Sequence, residues 1–132
     1  MMKACVLVID GYAGFRQAME YCFSRVGITA LTADSVAAAL PLMREYRVDL
    51  MLLDATQSFG GRLAECRAMK ARPEFAAVSI VLLVARVTPQ HLEQAHASGA
   101  ATVLAKVFDW AELMEWVDRA VKERRSGRGA ET

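Results

Sequence analysis

The chain has 132 residues, 55% of them hydrophobic and 23% charged, a balance that suits one globular domain with its own core. Its formal net charge is +1, so electrostatics give no case for nucleic acid or an anionic membrane surface as the main partner. No apolar run approaches the ~20 residues that span a bilayer and no secretory leader pattern opens the chain; Cys5, Cys22 and Cys66, an odd set without a CxxC, predict buried free thiols in a reducing cytoplasm rather than a zinc site.

Apolar runs and helical patterns alternate along the chain. A strand is predicted from Cys5 to Ile9, and then a helix on the stripe Phe15, Ala18, Met19, Cys22 and Val26. The weaker run Ile28 to Thr32 predicts an edge strand. Ser35 is placed to cap a second helix, whose interior Pro41 predicts a kink or a shortened helix. Val48 to Leu53 is a third strand, followed by a helix over about Gly61 to Ala71 with a poor apolar stripe. Val78 to Val84 is the fourth strand. The fourth helix has Thr88 as its cap, Pro89 in its first turn and Gly99 at its end. Ala101 to Ala105 is the fifth strand. Asp109 and Glu112 open a last helix on the stripe Trp110, Leu113, Met114, Val117 and Val121. Residues 1–125 therefore read as one domain and 126–132, glycine-rich and without pattern, as a disordered tail or the start of a linker.

Five strands alternating with five helices predict an α/β fold, a doubly wound parallel sheet with helices on both faces. Ligands in such sheets bind outside the carboxyl ends of the strands, so the residues that close the strands are the candidates. Strand one closes on Asp10, strand three on Asp54, strand four on Val84 and strand five on Ala105 and Lys106. Two carboxylates and one ammonium thus meet at one edge. Gly11-x-x-Gly14 lacks the GxGxxG of a dinucleotide turn, and no acid is read at the end of strand two, so a nucleotide cofactor is not expected. His91 and His96, five residues apart, lie off one helical face and are expected at the surface.

The ordered set "VLVID", "VDLMLLD", "IVLLVA" and "ASGAATVLAKVF" resembles the response-regulator receiver domain of two-component signalling, over about Ala4 to Val121. The resemblance implies a flavodoxin-like (βα)5 sheet in the order 2-1-3-4-5. It implies Asp54 as phosphoacceptor and Lys106 as the partner of a phosphoryl oxygen. It also implies Mg²⁺ held by the acids of strand one, by Asp54 and by the backbone carbonyl of Thr56. Implied partners are a histidine kinase or another signalling protein, and a homodimer through the face of helix four, strand five and helix five; neither nucleic acid nor membrane is expected to bind.

The chain departs from that pattern in the loop ATQSFGGR after Asp54, where two adjacent glycines replace the family's proline-containing loop and mobility is expected, and at four single positions. The second acid of strand one is Gly11, and loss of a metal ligand is expected to weaken Mg²⁺ at least as much as the ~10–100-fold lost with an outer partner. Val84 stands where a hydroxyl is expected; it copies threonine in shape without the oxygen. Val103 replaces the aromatic of strand five. Val107 follows Lys106 in place of proline, which predicts a trans Lys106–Val107 bond. The expected function is a receiver-like module that signals by protein–protein contact, with weak or absent phosphorylation. A conventional Mg²⁺-dependent acceptor using Asp54 is the alternative. An enzyme is not expected: a hydrolase using Asp54 would need a second catalytic acid or a placed histidine. Asp10 has two structural readings beside its metal role, a cap for helix one and a partner for Lys106; Asp54 with Lys106 also reads as a plain ion pair. Trp110 and Trp116 are the candidate interface residues; Trp116 lies roughly 100° off the buried stripe, which fits either partial burial or a contact anchor.

Overall fold

The computed structural model describes residues 3–131. Five strands, β1 (Cys5–Ile9), β2 (Thr29–Ala33), β3 (Leu50–Asp54), β4 (Ser79–Val84) and β5 (Thr102–Ala105), form one parallel sheet in the order β2-β1-β3-β4-β5. The helices are α1 (Ala13–Arg25), α2 (Val36–Glu45), α3 (Phe59–Lys70), α4 (Pro89–Ala97) and α5 (Trp110–Glu131); a short 3-10 turn, Pro73–Phe75, precedes β4 and was not foreseen. Among the described residues no helix is long and apolar enough to cross a membrane.

Side chains alternate across the strands and build a core on each face. Leu7, Ile9, Met51, Leu53, Ile80, Leu82 and Val103 pack beneath α2, α3 and α4. Val6, Val8, Leu50, Leu52, Val81, Leu83 and Leu104 pack against Met19 and Phe23 of α1 and Leu113 and Val117 of α5. Central strands covered on both sides must be apolar throughout, and β1 is buried at every position. The edge strand β2 is largely half-buried, as its weaker pattern predicted.

Several local signals act as read. Ser35 accepts from Ala38 N at 3.1 Å, Thr88 Oγ1 from His91 N at 3.1 Å, and Asp109 Oδ1 from Ala111 N at 3.0 Å, so each cap satisfies an otherwise orphaned amide. Other details differ. The buried seam of α1 is Met19 and Phe23, while Ala18, Cys22 and Val26 face solvent; contact with the sheet selects an i, i+4 pair narrower than the full apolar stripe. Cys22 is therefore exposed, and only Cys5 and Cys66 are buried free thiols. α2 runs on through Pro41, held to the sheet on both sides of it by Val36, Ala39 and Met43. α3 starts at Phe59, earlier than expected, and its buried residues are Cys66 and Met69. α5 continues to Glu131, through the stretch read as a tail; glycine in a helix costs only ~1 kcal/mol, which discourages but does not forbid it. His91 is half-buried, its ring 4.6 Å from that of Phe59.

Two polar groups, the buried Asp49 and the half-buried Lys70, tie down the strand starts. Asp49 accepts from Cys5 N at 2.9 Å; burial first, and the Asp49 charge second, push the Cys5 thiol up to about 11. Lys70 donates to Ala76 O at 2.6 Å and Val78 O at 2.8 Å, closing the loop before β4. Its stem lies on Gly99, which has φ +91°, and a Cβ there would meet Lys70 Cγ at 2.9 Å. Both the backbone and the lysine thus require glycine at this helix end. Gly99→Ala is expected to destabilise the protein by about 1–3 kcal/mol in urea denaturation without loss of secondary structure.

Candidate functional site

β1 and β3 are neighbours, but the chain leaves β1 toward β2 on its other side. Their carboxyl ends therefore flank the switch point of the sheet, where a crevice must open. Asp10 follows β1, and its N–H is held by Ala33 O at 3.1 Å. Its side chain is 2% exposed, a placement that a carboxylate tolerates only with partners. Oδ1 accepts from Tyr12 N at 2.9 Å, and Oδ2 lies 2.7 Å from Lys106 Nζ. That second contact is an ion pair off the hydrogen-bonding direction. Of the two structural readings of Asp10, the pairing with Lys106 holds and the cap does not: Tyr12 is the N-cap of α1 without a side-chain cap, and Asp10 Oδ1 closes the turn that precedes it. Arg16 Nη1 donates to the Asp10 carbonyl at 2.6 Å.

Asp54 ends β3, with its Oδ1 taken by Thr56 Oγ1 at 2.9 Å and Thr56 N at 3.3 Å and lying 3.5 Å from Lys106 Nζ. Lys106 is positioned by its own N–H, which bonds Val84 O at 2.7 Å, and its ammonium sits 4.6 Å from the centre of the Phe15 ring. Burial pulls the Lys106 pKa down; the Asp10 contact and the Asp54 and Asp10 charges outweigh it and leave the pKa above the ordinary lysine value.

The four departures each have a place. No atom lies within 4 Å of where a Gly11 Cβ would stand, so the missing acid leaves open space. That space joins a cavity of about 220 Å³ lined by Asp10, Asp34, Asp54, Gln57 and Arg62 as well as Gly11. Val84 and Val103 are each 3% exposed and belong to the core beneath α2, α3 and α4. Val107 is 95% exposed, and among the described residues no peptide bond is cis, so Lys106–Val107 is trans as expected.

Trp110 is half-buried with its ring 5.2 Å from that of Phe23, and Trp116 is half-buried on the flank of the same core, with the Arg119 guanidinium 4.2 Å above its ring. Sequence reasoning missed Asp34 and Arg62 at the crevice. Asp34 directly follows β2, so an acid does close strand two; β2 runs one residue beyond its predicted end, and the strand-end argument extended that far would have reached it. Arg62 had no such signal, because a helix-surface arginine in a weak pattern looks like any other.

A divalent magnesium ion wants a near-octahedral shell of oxygens, with one or two carboxylates at its usual protein sites. Here Asp10 Oδ2 and Asp54 Oδ1 both face one ammonium, and among the described residues no group of three or more acidic, histidine or cysteine side chains is arranged to hold a metal. The site thus offers two carboxylates, both facing Lys106, and no side-chain oxygen at position 11.

The family model for the response regulator receiver domain matches residues 6–118. Among solved structures, the chain is similar to chemotaxis protein CheY4 of Vibrio cholerae, with 22% identity, a TM-score of 0.78 and coverage of 90% of this chain and 99% of that one. It is similar to a response regulator of Thermotoga maritima at 21% identity and TM-score 0.78, over 92% and 99% of the two chains. It also matches NtrX of Brucella abortus at 22% identity and TM-score 0.81, covering 98% of this chain and 29% of that one.

Lys106 supplies a pH test. A lysine whose folded pKa is raised contributes stability that is complete below its unfolded value of ~10.4 and is lost as pH rises through the folded value. Lys106→Met is expected to cost about 1–3 kcal/mol at pH 7, since it strands the buried Asp10 carboxylate. Urea denaturation should show the difference between the two proteins shrinking above about pH 10.5.

Proposed function

The chain belongs to the response-regulator receiver family of two-component signalling, and from that premise we propose that it works chiefly as a protein-interaction module whose Asp54 accepts a phosphoryl group poorly or not at all. Receiver domains interact with histidine kinases and other signalling proteins, and they generally bind Mg²⁺ at the phosphorylation site. This member departs from its family at the ion.

The observation that carries the reading is the pair of carboxylates turned to Lys106 beside the open space at Gly11. Loss of one anionic donor weakens the hold on a divalent cation, and the ammonium supplies the remaining counter-charge. Val84 offers no hydroxyl to a phosphoryl oxygen and Val103 no ring to change rotamer, so a charge event at Asp54 lacks the two parts that would convert it into a shape change. The role is one of binding rather than catalysis. A signalling protein is the proposed partner, docking on α4, β5 and α5, and the buried free thiols suit a cytoplasmic setting.

One observation favours the second reading, a conventional acceptor: the Asp54 side chain keeps 15% exposure and lines the open crevice, so a small donor can reach it. Incubation with a small phosphodonor and Mg²⁺, followed by intact-mass measurement, separates the two. The wild type is expected to gain little phosphoryl mass. Gly11→Asp, which has room for its side chain, is expected to bind Mg²⁺ at least ~10-fold more tightly and to label on Asp54, with Asp54→Asn abolishing the gain. Stoichiometric labelling of the wild type, lost in Asp54→Asn, would sink the proposal.

A further inference from the structure

β5 is hydrogen-bonded on one side only, to β4. Which of its amides are free follows from the ladder. Leu83 O is taken by Ala55 N at 2.7 Å, toward β3, so Leu82 and Val84 face β5. Lys106 N bonds Val84 O at 2.7 Å, which puts Thr102 and Leu104 on the β4 side and leaves the N–H and C=O of Val103 and Ala105 directed at the unpaired edge, largely covered at Val103 and half-exposed at Ala105. Unpaired strand edges of this kind are templates for another strand.

The edge lies in a groove between α4 and α5. One part, of about 400 Å³, runs along Thr102 to Ala105 between Leu92 and Trp116, with Glu112 at the α5 end. The other, of about 410 Å³, shares Leu92, Thr102 and Trp116 and reaches Ala101 and Glu93. The groove therefore has an apolar middle, Glu112 toward one end, and Glu93 beside the His96 imidazole toward the other. Among the described residues neither Glu93 nor Glu112 has an ion-pair partner, while Arg119 is already placed on the Trp116 ring.

We propose that this groove takes an extended peptide segment of a partner protein, added to β5 as a sixth strand, with an apolar side chain against Leu92 and Trp116 and a lysine or arginine toward Glu93 or Glu112. A helical segment could cover the apolar middle, but it would leave the outward amides of Val103 and Ala105 unpaired; a strand satisfies both. A second copy of the chain is the competing occupant. The inference rests on the reading of the chain as an interaction module, and it specifies the form and charge of what binds.

The test is a titration of the ¹⁵N-labelled protein, without Mg²⁺ or phosphodonor, with the blocked pentapeptide Lys-Val-Thr-Val-Lys. Saturable shifts are expected at the Val103 and Ala105 amides, with a change in the Trp116 indole signal. N-methylation of the two peptide valines is expected to weaken binding about tenfold or more, since it removes strand donors. A Glu93→Lys, Glu112→Lys protein is expected to lose the lysine peptide by a similar factor and to gain a Glu-Val-Thr-Val-Glu peptide. Equal binding of the N-methylated peptide overturns strand addition. So does the absence of shifts at ~1 mM peptide, or a concentration-dependent dimer that excludes the peptide. Because no phosphodonor is present, these outcomes are separate from labelling of Asp54, which bears on the preceding proposal alone.

Discussion

The Lys106 ammonium stands 2.7 Å from Asp10 and 3.5 Å from Asp54, with the Phe15 ring beside it, and the arrangement of the whole carboxyl edge follows from that sharing. A sheet buried on both faces can place charges only where its strands run out, so the ends of β1, β3 and β5 bring their polar side chains to one crevice. There each charge is tolerable because the others are near. Tyr12 meets the other carboxylate oxygen of Asp10, Arg16 meets its backbone carbonyl, and Thr56 shares Asp54 Oδ1 with the lysine.

Glycine at position 11 changes what such an arrangement asks for. Two carboxylates and one ammonium leave a single net negative charge, whereas a third acid would leave two, the deficit that a divalent cation fills. The same substitution leaves room rather than strain, because nothing crowds the absent side chain. The valines at 84 and 103 are of another kind: they are integrated into the core, where they contribute packing and no polar chemistry. Gly11 and the two valines therefore lie in physically separate places, one at the crevice and the others in the core.

Much of this was legible in the sequence because charge at the end of an apolar run is a strong signal. Asp10, Asp54 and Lys106 could be brought together because each closes a strand of a parallel sheet. Caps at Ser35, Thr88 and Asp109 were legible for a similar reason, each depending on a local contact within three residues. What could not be read depended on long-range packing. The seam of α1 was set by which residues meet the sheet, so Phe23 is buried and Cys22 is not. The bonds from Lys70 to the loop before β4, and the seating of its stem on Gly99, join parts of the chain whose sequences say nothing of one another. Arg62 lines the crevice from the start of α3, a placement set by how that helix docks on the sheet.

The cysteines carry a practical consequence. Cys5 is sealed within β1 with its thiol pushed up to about 11 by burial and by Asp49, and burial likewise raises the thiol of Cys66. Neither presents an appreciable thiolate at neutral pH, the form that reacts with alkylating agents. Cys22 alone lies open to solvent, on the outer side of α1. The native chain therefore carries its own single attachment point, where a maleimide dye or spin label can be fixed without engineering a background free of other thiols.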